Sequence, residues 1–421
     1  MIRSPVAILA LLTALNLLNY IDRFIVSAVL PAMSPDIGLD KTVGGLVASV
    51  FLVGYSVTSP FFGSLGDRKP RKMLIGLGVA LWSIATVGSG FAVGAKSVLF
   101  ARALVGIGEA SYATLAPTII DDIAPPEKRA RYLAVFYVAT PVGAALGYVL
   151  GGILQAKFGW RSAFFFAGGP GLLLAGLCLL MHEPARQAST DKSNIRRDIR
   201  ELLKSPLFRQ GVAGYCMYTA AVGAFSHWAP TFLVETYPVA AITREEALKR
   251  ANFWFGLITV VGGIVGTAIG GIVSDRLRRK ITAEPNTPEF EREEVKILLR
   301  VCSIGSLIGA PIALACFLAP SSDLFYKLVF PCEVALFLST SPINGVILRS
   351  VPGPLRASAM ALAIFSIHAF GDSWSPTLVG ALGEMSTMQR GMLALPVTLL
   401  LSAILWWPRK TTQRQSSLGS T

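Results

Sequence analysis

Four charged residues interrupt long apolar stretches in the first third of the chain. Asp22 and Arg23 are neighbours within the first stretch, and Arg102 and Glu109 lie in the fourth stretch. On a helix, Arg102 and Glu109 would share one face with about 10 Å between them. A charged side chain inside a bilayer is costly unless it is paired or hydrated, so such residues are functional candidates by default.

Together these four residues could bind an anion and carry a proton. The planar guanidinium of Arg23 suits a phosphate or carboxylate group of a substrate. Arg102 is a second candidate for binding the same anionic group. Asp22 or Glu109 could hold the exchangeable proton of a coupled transporter, because protonating the carboxylate would release Arg23 for the substrate.

Two structural alternatives stay open for these charges. In the first, Asp22, Arg23 and Glu109 form a static buried network that only holds the first and fourth helices together. We favour a functional role over this network because buried ion pairs stabilise proteins poorly. In the second, the first helix ends at Asp22, at the outer interface, although Phe24–Met33 is apolar.

Patterns of catalytic or metal-binding residues are absent from the sequence. The three histidines, His182, His227 and His368, are far apart and lack the spacing of metal ligands. Neither a Gly-x-Ser-x-Gly nucleophile motif nor a Walker phosphate-binding loop occurs. We therefore predict no catalytic residue, no metal and no cofactor.

The elements that must hold these residues are membrane-spanning helices. Of the 421 residues, 53% are apolar and only 15% are charged, whereas soluble domains have roughly 25% charged residues. Nine stretches without Asp, Glu, Lys or Arg approach or exceed the roughly 20 residues that cross the hydrocarbon layer: Ser4–Ile21, Val43–Leu65, Met73–Ala95, Tyr132–Ala156, Ser162–Met181, Gln210–Val234, Ala251–Ser274, Val301–Ser322 and Gly391–Pro408. Three more carry interior charges: Ser97–Ile120, Leu328–Leu348 and Ala357–Gly383. The sequence thus predicts an all-α membrane protein with twelve transmembrane helices.

The distribution of basic residues predicts the orientation of the chain. If both termini are cytoplasmic, 27 of the 38 Lys and Arg residues fall in inner segments and nine in outer segments. This bias follows the positive-inside rule. The net charge of +13 therefore reflects membrane orientation, and no nucleic-acid partner is expected.

Two weakly repeated halves divide the chain. The longest polar linker, Glu183–Ser205, falls near the middle, and Gly63-Ser-Leu-Gly-Asp67-Arg68 is echoed by Gly271-Ile-Val-Ser-Asp275-Arg276. Parallel repeats of this kind are typical of transporters built from two six-helix bundles. We predict bundles at residues 1–182 and 207–408, a cytoplasmic linker at 183–206 and a short cytoplasmic tail at 409–421.

Further polar and aromatic residues within the spans could line a substrate cavity. A cavity for an amphipathic molecule needs aromatic walls as well as polar groups, although most aromatic residues at this spacing serve packing. The candidates are Asn19, Tyr20, Tyr112, Tyr215, Tyr218, Trp228, Glu333, His368 and Asp372.

Three segments resemble motifs of the major facilitator superfamily of transporters. Gly63-x-Leu65-x-Asp67-Arg68-x-x-Arg71-Lys72 resembles its cytoplasmic loop motif, and Arg102-x-x-x-Gly106-x-Gly108 resembles its fourth-helix motif. The glycines of the fifth span resemble its antiporter motif without the usual Gly-Pro pair. Gly63 and the fifth-span glycines would permit close helix packing. The resemblance implies a loop that latches the two halves in one state, formed by Gly63, Asp67, Arg68 and Arg71 with the copies Asp275 and Arg276.

Four segments resemble the Spinster family more specifically, and the resemblance covers nearly the whole chain. They are Leu18-Asn19-Tyr20-Ile21-Asp22-Arg23, the run from Gly106 to Asp121, Trp228-Ala-Pro230-Thr231-Phe232, and the run from His368 to Pro376. The resemblance implies proton-coupled transport of lysophospholipids or sphingoid phosphates, with Asp22, Arg23 and Glu109 as the coupling and headgroup residues.

Short loops and termini are more typical of a bacterial member, so we expect a protein of the bacterial inner membrane. We expect a monomer whose partners are the lipid-like substrate, protons and membrane lipids.

The first alternative is a proton-coupled multidrug or small organic-anion transporter on the same scaffold. A channel is less favoured because the repeat suggests alternating access. An integral membrane enzyme that modifies lipids is less favoured because no nucleophile or metal cluster is visible.

Overall fold

The chain forms a bundle of helices in the computed structural model, which describes residues 2–66, 68–125, 128–183, 195–238, 241–284 and 287–408. In chain order the helices are α1 (Pro5–Asp36), α2 (Lys41–Gly66), α3 (Arg71–Ser89), α4 (Ala95–Ile123), α5 (Arg129–Phe158), α6 (Trp160–Leu179), α7 (Ile195–Lys204), α8 (Pro206–Thr236), α9 (Arg244–Arg278), α10 (Pro288–Phe317), α11 (Ser322–Phe337), α12 (Thr340–Arg349), α13 (Arg356–Ile367), α14 (Ser375–Met385), α15 (Met388–Met392) and α16 (Ala394–Trp406). A 3-10 turn at Gly353–Leu355 precedes α13, and a π-helical turn at His368–Asp372 separates α13 from α14.

Twelve helical segments correspond to the twelve predicted spans. In the described part of the chain, ten are long and apolar enough to cross a membrane: α1 to α6, α9, α10, α11 with α12, and α15 with α16. The other two are α8, with 31 residues, and the interrupted helix made of α13, the π-helical turn and α14. The predicted all-α membrane fold is therefore confirmed.

Helix α1 continues well past the charged pair at its centre. It has 32 residues and ends at Asp36, so Asp22 and Arg23 lie deep inside it. The residues that follow them, including Ile25 and Val26, are buried apolar residues that extend the helix through the bundle. The alternative that the first helix ends at Asp22 is therefore wrong.

Glycines set the close spacing of helices in the first half. A Cβ atom at Gly106 of α4 would lie 2.2 Å from the carbonyl oxygen of Phe51 in α2. One at Gly147 of α5 would lie 2.8 Å from the carbonyl oxygen of Ile21 in α1. Contacts this short exclude any larger residue, so the close packing predicted for the fifth span is confirmed.

The first half packs α1 on α5, α2 on α4, and α3 on α4 and α6. The second half packs α16 on α8 and α10, and α11 on α9 and α10. The halves meet through α1 with α8, α2 with α14, and α5 with α9. One buried apolar cluster lies within the first half, and a larger one extends from α1 and α5 into the second half, so the two halves share part of their core.

The halves are joined at one end of the bundle. We call the end with the α2–α3 connection the loop end and the opposite end the far end. At the far end, Lys41 Nζ of α2 lies 3.1 Å from Glu235 Oε2 of α8. Eight residues further along α2, towards the middle of the bundle, Ser49 Oγ lies 2.7 Å from Thr377 Oγ1 of α14. These contacts close the far end of the bundle.

Both ends of the described chain lie at the loop end. The amide N–H of Ile2 donates to the carbonyl oxygen of Leu180 at 2.8 Å, next to the end of α6. Gln210 Nε2, near the start of α8, donates to the carbonyl oxygen of Trp407 at 2.7 Å. Ile2 and Trp407 therefore lie at the same end of the bundle; the side of the membrane that this end faces remains a prediction, as do the domain boundaries. The predicted tail at 409–421 and residues 184–194 of the linker lie outside the described residues.

Candidate functional site

The four intramembrane charges form two crossed ion pairs between α1 and α4. Arg23 Nη2 of α1 lies 2.9 Å from Glu109 Oε2 of α4. Arg102 Nη1 of α4 lies 3.6 Å from Asp22 Oδ1 of α1. Each helix therefore supplies one acid and one arginine. The sequence suggested that Arg23 pairs with an acid, but it did not suggest the pair of Arg102 with Asp22; both pairs connect the two helices directly.

One member of this charge cluster is accessible. The side chain of Arg23 is 20% exposed, whereas that of Glu109 is completely buried. Arg102 and Asp22 are 2% and 1% exposed. A ligand that enters between the halves would therefore reach Arg23 before the other three charges.

Thr86 of α3 adds a third helix to the buried pair. Its Oγ1 donates a hydrogen bond of 2.5 Å to Asp22 Oδ2. Asp22 thus has a hydroxyl on one carboxylate oxygen and Arg102 near the other. Side chains from three helices, α1, α3 and α4, therefore meet at Asp22.

Aromatic rings surround the guanidinium groups. The Arg23 guanidinium carbon lies 4.9 Å from the ring centroid of Phe51, 5.2 Å from that of Tyr20 and 5.5 Å from that of Tyr55. The Arg102 guanidinium carbon lies 4.8 Å from the Phe51 centroid. These distances are within the range of cation–π attraction, which is strongest where water is excluded.

The cluster retains unused hydrogen-bonding capacity. Among the buried side-chain atoms without a hydrogen-bond partner are Arg23 Nε, Glu109 Oε1, Arg102 Nε and Asn19 Nδ2. A buried polar atom without a partner is costly in a static core. Such capacity is expected where a proton or an anion binds in turn.

In the second half, a single π-helical turn presents a histidine and an acid. His368 Nδ1 lies 3.1 Å from Asp372 Oδ1, and both side chains are 15% exposed. The His368 ring packs edge-on against Tyr55, with centroids 5.4 Å apart. Since Tyr55 also contacts Arg23, it connects the charge cluster of the first half to the His–Asp pair of the second. Isolated π-helical turns inside α-helices frequently occur at functional sites.

Glu333 of α11 is a buried acid of a different kind. It is 3% exposed, and Thr259 Oγ1 of α9 donates a hydrogen bond of 2.9 Å to its Oε1. Its Oε2 has no hydrogen-bond partner. Within the described residues, no Lys, Arg or His forms an ion pair with it.

Several aromatic cavity candidates lie within helix packing instead of beside the charge cluster. The hydroxyl of Tyr112 donates to the carbonyl oxygen of Leu12, and that of Tyr218 donates to the carbonyl oxygen of Leu336. Trp228 is 1% exposed, and its Nε1 donates to the carbonyl oxygen of Pro376. The donor atoms of these three side chains are therefore already used by backbone carbonyl oxygens.

The remaining candidates divide between the cluster and the core. Tyr20 contacts Arg23, and Asn19 is a buried neighbour of the charged pair in α1. Tyr215 of α8 packs against Tyr218 and Trp406 and is partly buried. Sequence reasoning missed Phe51, Tyr55 and Thr86. Each is an ordinary residue of a charge-free span, so nothing in its local sequence pointed to the charges.

The loop motif makes its described contacts within the first half. Arg71 Nη1 lies 2.7 Å from Asp122 Oδ2 of α4 and donates to Thr118 Oγ1 at 3.1 Å. Asp67 lies outside the described residues. In the repeat, Arg278, two residues beyond Arg276, lies 2.6 Å from Glu294. The predicted latch between the halves therefore stays a prediction.

The close approach predicted at Gly63 is wrong for this conformation. A Cβ atom there would lie 3.7 Å from Thr114 Cγ2, which is an ordinary contact. The tight position is Gly66, where a Cβ atom would lie 2.3 Å from Leu115 Cδ2. The difference is about one helical turn, and the loop motif alone does not specify which of its two glycines faces α4.

Comparison with known proteins identifies the family. The family model "Major Facilitator Superfamily" matches residues 12–376. Protein spinster homolog 1 of Bos taurus is 35% identical over 397 residues, which are 90% of this chain and 72% of that protein. The chain belongs to the Spinster family of the major facilitator superfamily. Protein spinster of Drosophila melanogaster is 34% identical over 91% of this chain, and the chain spans 62% of that longer protein.

Other relatives of this Spinster member agree in fold and class. A protein of Arabidopsis thaliana, 30% identical over 96% of this chain and 86% of its own length, is named a probable sphingolipid transporter. The crystal structure of a bacterial homologue of the human lysosomal transporter Spinster, inward-facing and unoccupied, aligns with a TM-score of 0.82. That match has 21% identity and covers 96% of both chains, so it establishes the fold. The protein is thus a multi-pass membrane transporter and not an enzyme.

Proposed function

We propose that this Spinster member is a secondary active transporter that moves an amphipathic anionic lipid by alternating access, coupled to protons. The substrate class is a lysophospholipid or a sphingoid phosphate. One observation carries the proposal: Arg23, the accessible cation of the cluster, is held by a fully buried carboxylate at 2.9 Å. The name of the Arabidopsis thaliana relative supports the lipid class.

Glu109 is the proposed proton carrier. Two unit charges about 4 Å apart attract by about 4 kcal/mol at an effective dielectric constant of about 20. Protonating Glu109 removes this attraction and frees Arg23 for a phosphate group. Deprotonation restores the pair and expels the anion. Because the proton and the lipid favour each other's binding, they travel in the same direction.

Asp22 is the less suited of the two acids for this role. It receives a hydrogen bond from Thr86 and pairs with Arg102, which is itself 2% exposed. Arg102 would therefore set the charge of Asp22, and Arg23 would bind the headgroup. Tyr20, Phe51 and Tyr55 would border the headgroup with aromatic surface.

We propose that the loop end faces the cytoplasm, with both termini, and that the protein works as a monomer in a bacterial inner membrane. The positive-inside bias of the basic residues supports this orientation. Transport then requires the far-end contacts, such as Lys41 with Glu235, to open while the loop end closes. The halves at 1–182 and 207–408 would move as the two rigid units.

Transport in proteoliposomes tests the proposal. Purified protein is supplied with a labelled lysophospholipid or sphingosine-1-phosphate, with and without an imposed pH gradient. We expect the gradient to drive lipid movement into the compartment that protons enter. Movement that is unaffected by the gradient would remove the proton coupling, and no movement of either lipid by folded protein would remove the lipid class.

A small organic anion or drug is the second candidate substrate. The observation in its favour is that Arg23 is one planar cation, which suits any accessible phosphate or carboxylate. Competition separates the two classes. Lysolipids should displace a bound small anion at far lower concentration than the reverse if the aromatic surroundings contribute to lipid binding.

A further inference from the structure

The linker helix α7 lies at the loop end, outside the transmembrane spans. Leu202 is its fully buried residue. Ser358 Oγ, near the start of α13, donates a hydrogen bond of 3.0 Å to Asp198 Oδ2. The helix packs on α8 and α13. One face of α7 is therefore docked on the second half of the protein.

The exposed surface of α7 combines apolar and basic residues. Ile199 is 36% exposed and Leu203 is 50% exposed, and they lie one turn apart. Arg200 and Lys204, the residues that follow each of them, are also exposed and one turn apart. Residues four apart share a helix face, so an apolar stripe runs beside a basic stripe. This arrangement is typical of helices that lie in a membrane interface.

The charge of this surface remains basic. The helix contains four basic and two acidic residues, and the docking contact to Ser358 already uses Asp198. Glu201 accepts a hydrogen bond of 2.6 Å from Lys204, which lowers the pKa of the Glu201 carboxyl. Lys204 is therefore partly neutralised, and Arg200 carries more of the free charge.

The position of α7 places this surface at the depth of lipid headgroups. Only Ser205 separates α7 from α8, and the charge-free run of α8 begins at Gln210. Five residues of helix extend roughly 7.5 Å. A bilayer has roughly 5 to 8 Å of polar headgroup region on each side of its hydrocarbon core. A basic helix at that depth lies next to the lipid phosphate groups.

We propose that α7 is a binding site for anionic membrane lipids, with Ile199 and Leu203 in the interface and Arg200 and Lys204 at the lipid phosphates. The charge complementarity with an anionic leaflet selects this occupant over a zwitterionic lipid. The site is separate from the intramembrane charge cluster, and it stands whether or not the protein transports a lipid.

A fluorescent reporter on α7 tests the proposal without a transport assay. The five natural cysteines are buried, so Leu203→Cys can be labelled selectively with a polarity-sensitive dye. The full chain is placed in nanodiscs of phosphatidylcholine alone or with added phosphatidylglycerol. We expect the emission to shift to the blue with phosphatidylglycerol, and the shift to diminish at high salt because exposed charges are screened.

Charge-neutral variants provide the decisive comparison. Arg200→Gln with Lys204→Gln, in the Leu203→Cys background, should weaken the preference for phosphatidylglycerol about tenfold, slightly less than two unpaired cations would contribute. The matched control is Lys249→Gln with Arg250→Gln at the far end, where both side chains are exposed, and it should leave the preference unchanged. Identical emission in both lipids, or an unchanged preference after the α7 charges are removed, would overturn the proposal. An acidic protein partner on α7 would produce that first result.

Discussion

The two halves of the molecule bury their acids in different ways. In the first half, Glu109 and Asp22 each face an arginine of the other helix, at 2.9 and 3.6 Å. In the second half, Glu333 receives one hydrogen bond from Thr259 and forms no ion pair with the described residues. Among the described residues, the arginine–carboxylate pairs at the centre of the helices therefore lie in the first half, whereas the buried Glu294 of the second half pairs with Arg278 near the loop end.

In the proposed mechanism, this difference separates an acid that releases an arginine when it takes up a proton from an acid that has no arginine to release. Next to an arginine, a buried carboxylate stays charged, and adding a proton releases the arginine. Without a cation, a buried charge is costly enough that the neutral acid is the expected form at neutral pH. The first half is therefore suited to coupling and the region around Glu333 to packing.

The largest expected effect comes from breaking the buried pair of the first half. Arg102→Ala should lower the free energy of unfolding by about 3–5 kcal/mol, because Asp22 would lose its buried ion-pair partner and would be left either as an unpaired charge or as an acid that must take up a proton. Denaturant titration in detergent micelles measures this loss. Arg161→Ala is the control: its pair with Asp36 is exposed and should contribute less than about 1 kcal/mol. Equal losses at the two sites would show that burial of the pair has no special importance.

A smaller effect is expected on substrate recognition. Arg23→Ala should weaken binding of a phosphorylated lipid by about 1.5–3 kcal/mol, the usual contribution of a hydrogen bond to a charged group. Binding of the lipid's uncharged analogue should change little, and Arg23→Lys should fall between wild type and Arg23→Ala because it keeps the charge without the planar fork. Binding isotherms for the two lipids measure the difference. If both lipids lose affinity equally, Arg23 serves the structure and not the headgroup.

The two halves can then be compared directly with the same substitution. Glu109→Gln should reduce the part of transport that depends on the pH gradient about tenfold or more, equivalent to about 1.4 kcal/mol. Glu333→Gln should leave it nearly unchanged, since an amide closely replaces a neutral acid. Initial rates in proteoliposomes at several external pH values measure both. The comparison fails if Glu333→Gln is the more damaging change, which would place the coupling acid in the second half.

The smallest effect concerns the contact that joins the two regions. Tyr55 and His368 pack edge-on with centroids 5.4 Å apart, an arrangement that contributes about 0.5–1.5 kcal/mol between aromatic rings. A double-mutant cycle with Tyr55→Leu and His368→Leu, read out as lipid affinity, should give an interaction energy of about 1 kcal/mol. Additive losses would mean that the charge cluster and the His–Asp pair act independently.

Much of the fold followed from local sequence properties. Twelve apolar runs, their interior charges and the repeat of the Asp-Arg loop were sufficient for an all-α membrane fold with twelve spans, because a bilayer demands long hydrogen-bonded helices. The ends of the helices were harder to predict from the sequence. Charge-free runs stop at the first ionisable residue, so the first run ends at Ile21, fifteen residues before α1 ends at Asp36, and only the apolar Phe24–Met33 indicated that the helix continues.

The residues of the candidate site also fall into two groups: those that the sequence revealed and those that only the structure revealed. Asp22, Arg23, Arg102 and Glu109 stood out from the sequence because charges are costly in a bilayer. Their partners did not stand out: Phe51, Tyr55 and Thr86 come from α2 and α3, and an apolar or hydroxyl residue in a span carries no sign of what it faces. Tyr112 and Trp228 show the converse, since their types suit a cavity but the fold buries them.

The sequence by itself determined which residues are charged inside the membrane, how many helices cross it and which family the chain resembles. Only the tertiary structure decided that the acids and arginines pair across α1 and α4, that Arg23 is the accessible member, and that Tyr55 connects the two halves. The physical reason is that composition and spacing act along one helix. Pairing and exposure depend on how close separate helices approach, and residues far away in the chain, such as Gly106 against Phe51, set that distance.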